Sequence, residues 1–175
     1  MLVDLEHARE RNVVHRDVGP RNIMISLRGE VKLIDFGVAK ADNRENETEV
    51  HTMKGKFAYM APEQIIVDAP VDYRADLYAV GAILYELISG RPPFWGAKRP
   101  VEVMEKHLRH DPPNLHELLP DRLLPHGIQG VVHRALAKKP AERFQDGREL
   151  YEALEAAVNG PAFQPYTVQE EERTI

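Results

Sequence analysis

Hydrophobic residues recur along most of this chain at helical spacing, and strand-like runs are confined to one region near its start. Residues 2–11 carry apolar side chains at positions 2, 5 and 8, a spacing of three that predicts the end of a helix. Two short apolar runs, at 23–25 and 31–34, flank turn residues at 28–30. Two such runs around a glycine-containing turn predict a small β-hairpin.

The longest apolar stretch lies in the middle of the chain. Over residues 75–89, apolar side chains surround the predicted helix on nearly every side. A helix of this kind is typical of the interior of a protein. Gly90 and the two prolines at 92–93 are expected to end it.

The last third of the chain also has helical spacing. Helices are predicted over 101–109 and 128–136, separated by a proline-rich, irregular stretch over 111–125 with room for one helical turn. Asp146 is expected to cap a final helix. The inner face of that helix is expected to consist of Leu150, Tyr151, Leu154 and Val158.

Length and composition are those of one globular domain. The chain has 175 residues, of which 43% are hydrophobic and 29% charged, an ordinary balance for a folded domain. We predict a mainly α domain with a small β-hairpin region over residues 1–158, followed by a flexible tail over 159–175. Residues 41–56 are polar, and a loop of this length is typical of a functional segment.

Charge and hydropathy exclude several other classes. The absence of cysteine excludes disulfides and thiolate metal sites. Apolar runs are too short for a membrane span, and the N-terminus lacks the pattern of a signal peptide. Acidic and basic residues are mixed, with a net charge of −5, which argues against a nucleic-acid partner. These features predict a cytoplasmic protein without a membrane segment.

Three short motifs occur in a fixed order. His-Arg-Asp at 15–17 is followed by Asn22, Asp-Phe-Gly at 35–37 follows the second apolar run, and Ala-Pro-Glu at 61–63 closes the polar loop. Each triplet alone is weak evidence, because short motifs recur by accident. The ordered set, with each motif in its expected structural setting, is the catalytic loop, metal-binding triplet and activation-segment end of protein kinases.

The chain therefore resembles the bacterial eukaryotic-type (Hanks-type) serine/threonine protein kinases. The stretches GKFAYMAPEQ at 55–64 and LYAVGAILYELISGRPPF at 77–94 strengthen the resemblance, which covers about residues 2–158. It implies a protein-kinase-like C-terminal lobe, with the N-terminal lobe absent from this sequence and expected upstream. It also implies transfer of the ATP γ-phosphoryl group to a serine or threonine hydroxyl of a protein substrate, with weak or no activity in isolation.

The resemblance assigns the chemistry to three residues. Asp17 is the expected catalytic carboxylate, which orients the acceptor hydroxyl, since phosphoryl transfer depends mainly on positioning and charge stabilisation. Asn22 and Asp35 are the expected ligands of Mg²⁺, a hard cation that prefers oxygen. The apolar floor expected beneath the adenine of ATP consists of Ile23, Met24 and Ile25.

Regulation is expected at the activation segment, residues 38–60. Arg16 is expected to receive a phosphate there, because its guanidinium binds phosphate through two parallel hydrogen bonds. Thr48 and Thr52 are the candidate phosphate acceptors, with Thr52 preferred because it lies nearer the folded end of the segment. The alternative is that both threonines are solvated loop residues.

Five further residues are expected to support the fold. The resemblance implies that His15 and Phe36 stack in an apolar column. It also implies that Asp76 anchors the backbone of the catalytic loop, and that Glu63 and Arg143 form a buried ion pair. A buried carboxylate needs such partners to offset its loss of hydration.

Two positions depart from the family pattern. Gly19 stands where serine/threonine kinases usually carry a lysine, a cation that neutralises charge on the transferring phosphate. Lys56 stands where they usually carry a threonine. We hypothesise that the cation has moved to Arg21 or to Lys56; the alternative is that both side chains point to solvent.

Two other interpretations remain open at the level of sequence. The chain could be a non-catalytic, pseudokinase-like binding module, which Gly19 favours, although the retained Asp17, Asn22 and Asp35 argue against it. It could also be a small helical domain of another class, which the ordered motifs disfavour.

Overall fold

The computed structural model describes residues 1–36, 56–97 and 99–160. In chain order the helices and strands are α1 (Leu2–Glu10), β1 (Ile23–Ile25), β2 (Val31–Leu33), α2 (Pro62–Ile65), α3 (Arg74–Ser89), α4 (Pro100–Arg109), α5 (Leu115–Leu118), α6 (Ile128–Ala135) and α7 (Gly147–Asn159). Short 3₁₀ turns cover Pro20–Asn22 and Pro140–Glu142. The predicted fold class, mainly α with one small hairpin, is confirmed.

The hairpin forms as the sequence predicts. β1 and β2 pair antiparallel, with Ile23 opposite Leu33 and Met24 opposite Lys32. Gly29 in the turn has a φ of 80°, a left-handed conformation that glycine adopts without steric cost. The hairpin is held against the first helix, because Leu33 N–H donates to the Asp4 carboxylate at 3.1 Å.

Helix α3 forms the centre of the core. Its residues from Ala75 to Ile83 are buried, as the all-round apolar pattern predicts. It lies very close to α6 at Gly81, where an added Cβ would come within 2.6 Å of the Ala135 Cβ. Gly90 ends the helix with a φ of 79°. The last turn departs from the prediction, since Leu87 is 77% exposed.

The C-terminal helices extend the core: α6 packs against α3, and α7 packs against α6 and α1. Asp146 caps α7 as predicted, because its side chain accepts a hydrogen bond from Glu149 N–H at 2.7 Å. In the described part of the chain, no helix combines the length and apolar character needed to cross a membrane.

The predicted inner face of α7 was wrong at two positions. Leu150 is buried, but Tyr151 and Val158 are 52% and 57% exposed. Ala157 is buried instead, and it lies against Gly127, where an added Cβ would come within 3.1 Å of the Ala157 Cβ. The small side chain of Ala157 fits this close approach, and the larger Val158, the next residue, is exposed.

Candidate active site

The backbone of the catalytic loop, residues 15–22, is anchored by a buried carboxylate. Asp76, in the first turn of α3, is 3% exposed. Its two oxygens accept hydrogen bonds from His15 N–H at 2.8 Å and from Arg16 N–H at 2.9 Å. Burial raises the pKa of Asp76, and the two backbone hydrogen bonds oppose that rise. The loop therefore begins at a point tied directly to the core helix.

His15 joins the catalytic loop to the end of β2. Its Nε2 lies 2.9 Å from the Ile34 carbonyl oxygen, and its Nδ1 lies 3.3 Å from Asp17 N–H. These partners place the proton on Nε2, because a carbonyl only accepts and a backbone N–H only donates. The His15 ring also packs on Phe36, with ring centroids 4.8 Å apart. The two residues expected to stack are therefore in contact.

The three residues expected to carry the chemistry are connected through the backbone. Asn22 Nδ2 donates to the Asp17 carbonyl oxygen at 2.7 Å. Ile34 N–H donates to the Asn22 carbonyl oxygen at 2.9 Å, and Asp35 is the next residue along the chain. Asp35 has a φ of 57°, which is uncommon for a residue with a side chain. Two hydrogen bonds thus bring the segments carrying Asp17, Asn22 and Asp35 to one place.

The donor chemistry at this place suits a hard divalent cation. Because the Asn22 amide nitrogen is bonded to Asp17, its side-chain oxygen faces away from that hydrogen bond. Asp35 is exposed and supplies carboxylate oxygens directly after the hairpin. Carboxylate and amide oxygens are the ligands that Mg²⁺ prefers, with water completing its shell. Within residues 1–36, 56–97 and 99–160 no group of three or more His, Cys, Asp or Glu side chains is placed to hold a metal, so the candidate site is one amide with one carboxylate.

The hairpin differs from the expected adenine floor. Successive side chains of a strand point to opposite faces, so β1 cannot present Ile23, Met24 and Ile25 together. Ile23 packs against the core and lies opposite the buried Leu33. Met24 lies on the other face and is 56% exposed. The strand therefore divides the three residues between its two faces, with Met24 on one face and Ile23 and Ile25 on the other.

A lysine from the activation-segment end lies beside Asp17, the carboxylate expected to be catalytic. Lys56 Nζ lies 3.6 Å from Asp17 Oδ1, and both side chains are partly exposed. Gly19 has an extended backbone, and an added Cβ would lie 3.7 Å from the Tyr59 ring, an ordinary contact. Arg21 is exposed and close enough to Tyr59 to lower its pKa slightly, against the larger rise that burial causes. Lys56, one of the two candidate cations, therefore has an ion-pair contact with Asp17.

The end of the activation segment is fixed by the expected buried ion pair. Arg143 is fully buried, and its Nη1 and Nη2 donate to the two Glu63 carboxylate oxygens at 2.6 and 2.7 Å. Arg143 also donates to three backbone carbonyls, those of Arg74, Ala137 and Lys138. A parallel two-bond contact of this kind has high geometric specificity. The pair therefore ties α2 to the segment before α7.

The regulatory residues are placed only in part. Arg16 is exposed beside Asp17 and has a φ of 63°. Thr48 and Thr52, the candidate phosphate acceptors, and Gly37 lie outside the described residues. Regulation at Arg16 therefore stays a prediction.

Two groups of residues were missed by the sequence reasoning. Gln64 donates from Nε2 to the Arg16 carbonyl oxygen at 2.9 Å, and no pattern around a single glutamine predicts a partner 48 positions away. The second group surrounds His107, which is fully buried with Tyr78 OH 2.8 Å from its Nδ1. Burial, with help from the nearby Lys138 charge, lowers the pKa of His107 to about 4. His107 lies on the inner side of α4, and the helical spacing of that short segment could have indicated its burial.

Comparisons with known proteins identify the family of this chain. The sequence profile of the protein kinase domain matches residues 1–156. Serine/threonine-protein kinase PknB of Mycobacterium tuberculosis is 38% identical over 177 residues, which cover 97% of this chain and 27% of that protein. Tyrosine-protein kinase MasK of Myxococcus xanthus is 38% identical over 150 residues, covering 86% of this chain and 23% of that protein. The chain thus spans about a quarter of the length of these relatives.

Solved structures give the same result at the level of the fold. The crystal structure of the Mycobacterium tuberculosis PknI kinase domain is 30% identical to this chain, with a TM-score of 0.63. The match covers 89% of this chain and 51% of that kinase domain. On the evidence of the profile, the relatives and the fold, this chain belongs to the protein kinase domain family, in its bacterial Hanks-type form.

Proposed function

We propose that this chain provides the catalytic lobe of a serine/threonine protein kinase, which transfers the γ-phosphoryl group of ATP to a protein hydroxyl. One observation carries the proposal: hydrogen bonds from Asn22 to Asp17 and from Ile34 to Asn22 assemble the segments of Asp17, Asn22 and Asp35. A non-catalytic module has no chemical need to keep these three oxygen-bearing side chains together.

Asp17 is the proposed catalytic residue. Its carboxylate accepts a hydrogen bond from the substrate hydroxyl and orients the oxygen for attack. Loss of the proton is late in a loose phosphoryl-transfer transition state, so orientation is the larger part of the contribution. The anchoring of His15 and Arg16 by Asp76 keeps the loop in place before substrate arrives.

Asn22 and Asp35 are the proposed ligands of Mg²⁺, and Met24 is the proposed apolar contact for adenine. When bound, the metal neutralises phosphate charge and orients the phosphates of ATP. The strained backbone of Asp35 is consistent with a side chain held for binding rather than for packing. Ile23, on the other face of the strand, packs against the core.

Lys56 is the proposed replacement for the missing catalytic-loop lysine. Its 3.6 Å contact with Asp17 places a cation beside the reacting oxygen, where it can stabilise negative charge on the phosphoryl group. Arg21 is the second candidate for the same role. Arg16 is proposed to bind a phosphate on Thr52 or Thr48.

The proposed lobe covers residues 1–158, and the proposed tail covers 159–175. A glycine-rich GxGxxG motif, which covers the phosphates of ATP in protein kinases, does not occur in this sequence. We propose that a separate N-terminal lobe supplies this motif and closes the nucleotide site. The isolated chain is then expected to bind Mg-ATP weakly, and calorimetry showing micromolar affinity would contradict this expectation.

The proposed function is tested in a chimera that joins this chain to the part of Mycobacterium tuberculosis PknB preceding its matched region. The chimera is expected to phosphorylate serine or threonine in a protein substrate, as read by phosphoamino-acid analysis. Asp17→Asn is expected to lower the rate by about 10²–10⁴-fold, while Asp121→Asn, at an exposed carboxylate far from the site, leaves it unchanged. A folded chimera without activity, or equal rates for Asp17→Asn and the parent, would contradict the proposal.

The proposed cation is tested by moving it. Lys56→Thr in the chimera is expected to lower kcat, because the charge beside Asp17 is lost. Adding Gly19→Lys to that variant is expected to restore most of the rate, since the extended backbone at Gly19 accepts a side chain. Arg21→Ala serves as the comparison. If Lys56→Thr is as fast as the parent and Arg21→Ala is slow, the cation is Arg21 and the assignment of Lys56 is wrong.

A further inference from the structure

Gln64 joins the activation-segment end to the catalytic loop through one side-chain amide. Its Oε1 accepts a hydrogen bond from Ala61 N–H at 3.0 Å, at the start of its own helix α2. Its Nε2 donates to the carbonyl oxygen of Arg16 at 2.9 Å. The oxygen of the amide therefore binds the start of α2, and its nitrogen binds the catalytic loop.

Arg16 is the point of the catalytic loop where such a contact has most effect. Its φ of 63° lies in the left-handed region, which a residue with a long side chain rarely adopts. A conformation of this kind persists only when surrounding contacts hold it. Asp76 accepts from the Arg16 N–H at 2.9 Å on the core side, and Gln64 binds the Arg16 carbonyl on the other side.

The Arg16 carbonyl is rigidly coupled to Asp17. It belongs to the peptide group that joins the two residues, and a peptide group is planar. A rotation of this carbonyl therefore turns the Asp17 N–H and redirects the Asp17 side chain. The hydrogen bond from Asp17 N–H to His15 Nδ1 is long, at 3.3 Å, and restrains that rotation only weakly.

The other end of the contact is fixed in space. Gln64 follows Glu63, whose buried carboxylate pairs with Arg143 at 2.6 Å. The same residue, Gln64, lines a small recess together with Asp17 and Lys56. The Gln64 amide thus holds Arg16, the residue before Asp17, at a fixed place relative to the segment anchored by Glu63.

We propose that Gln64 is a positioning residue for Asp17: its Nε2 donor holds the Arg16 carbonyl and so sets the direction of the catalytic carboxylate. The inference rests on the proposed function for its rate effect, but its structural part stands on contacts within this chain alone. It also explains how order at the activation-segment end reaches the catalytic loop.

Two substitutions separate the two ends of the amide. Gln64→Glu keeps an acceptor for Ala61 N–H and loses the donor to the Arg16 carbonyl. Gln64→Met loses both at nearly the same length. The matched control is Gln145→Glu, because Gln145 Nε2 also donates to a backbone carbonyl, that of Arg143 at 2.8 Å, away from Asp17.

The first measurement uses this chain alone and needs no activity. In ¹H–¹⁵N spectra, Gln64→Glu and Gln64→Met are expected to shift the amide resonances of Arg16 and Asp17, and Gln145→Glu is expected to leave them in place. The parent and Gln64→Glu are expected to unfold at the same temperature. Gln64→Met is expected to unfold at a lower temperature, because only this variant loses the hydrogen bond that caps α2. Unmoved Arg16 and Asp17 resonances in both Gln64 variants would overturn the inference whether or not the protein is a kinase.

The second measurement uses the chimera with PknB. Both Gln64 variants are expected to lower kcat by about tenfold, as misplacement of a catalytic group does, with the KM for ATP unchanged. Gln64→Glu is then as stable as the parent but slower. A residue that only caps the helix would not separate rate from stability in this way. A Gln64→Glu variant as fast as the parent would overturn the inference. An inactive parent chimera would instead contradict the proposed function and leave the amide shifts as the deciding result for Gln64.

Discussion

The two sides of the candidate site differ in how they are held. On the inner side, the backbone at His15 and Arg16 is bound by the buried Asp76, and the activation-segment end is bound through Glu63 and Arg143. These supporting side chains are almost completely shielded from solvent. The hydrogen bonds on this side are short, and the side chains that make them are buried.

The outer side carries the groups that are proposed to bind and react, and it is open to solvent. Asp35 is exposed, Met24 is 56% exposed, and Lys56 contacts Asp17 across 3.6 Å with its side chain 46% exposed. Charged groups that bind a ligand must remain accessible, so they cannot gain stability from burial. The comparison indicates that the buried side chains contribute most of the stability, whereas the exposed groups are the ones placed to act on a ligand. Substitutions on the inner side should therefore lower stability, and substitutions on the outer side should lower activity with little effect on stability.

The largest effect on stability is expected from Arg143→Met. This change leaves the Glu63 carboxylate buried without its partner, which typically costs about 3–5 kcal/mol of unfolding free energy. Urea unfolding of this chain at pH 7 measures it. The control is Lys139→Met, because Lys139 pairs with Glu142 on the surface and is 78% exposed. Equal losses for the two variants would remove the distinction between the inner and outer sides.

The next largest effect is expected from pH, through His107. Burial lowers the pKa of His107 to about 4, below its usual value of 6.5. The unfolded chain therefore binds the proton first, so the contribution of His107 to stability is complete above pH 6.5 and is lost as the pH falls toward 4. The loss is about 3 kcal/mol over that interval.

That loss is measured as the difference in unfolding free energy between the parent and His107→Gln at a series of pH values. The difference removes the contribution of the other titrating groups. The control is Gln129→Met, which removes no titratable group and is expected to give a difference that stays the same across this pH range. A flat difference for His107→Gln between pH 7 and pH 4 would mean that this buried ring does not resist protonation.

A smaller loss is expected from Asp76→Asn. The amide offers one oxygen in place of two, so either His15 N–H or Arg16 N–H loses its acceptor. Loss of a hydrogen bond to a charged group is expected to cost about 2 kcal/mol in urea unfolding. Asp121→Asn, on the surface, is the control. No change in Asp76→Asn would show that the catalytic loop does not depend on this anchor.

The smallest effect on stability is expected from Lys56→Met. The Lys56–Asp17 pair is partly exposed, and pairs of this kind contribute about 0–1 kcal/mol. Thermal unfolding of this chain and the rate of the chimera are measured on the same variant. A change of rate without a change of stability sharpens the comparison, whereas a stability loss as large as that of Arg143→Met breaks it.

The sequence was informative where the pattern is local or the motif is specific. The periodicity of the apolar residues predicted the hairpin and the core helix α3, and the Asp146 cap was recognised from the residue type alone. The resemblance carried by the ordered motifs predicted the pairing of Glu63 with Arg143 and the contact of His15 with Phe36. Such features depend on nearest neighbours along the chain or on a family pattern.

The failures of prediction share a different cause. The spacing predicts Tyr151 and Val158 on the inner face of α7, but both are exposed, and Ala157 is buried against Gly127 instead. The run at Ile23, Met24 and Ile25 was read as one apolar surface, although strand geometry divides it between two faces. In both cases a neighbouring element decides which side chain turns inward.

By itself, the sequence determined that the chain is a helical domain with one hairpin and that it carries the ordered motifs of a protein kinase, because spacing and residue type are local properties. Only the tertiary structure decided that Lys56 lies beside Asp17, that Gln64 binds the Arg16 carbonyl and that the Tyr78 hydroxyl lies beside the His107 ring. Each of these contacts joins residues far apart in the chain. Their partners are set by how the helices pack, and a pattern along one segment does not contain that information.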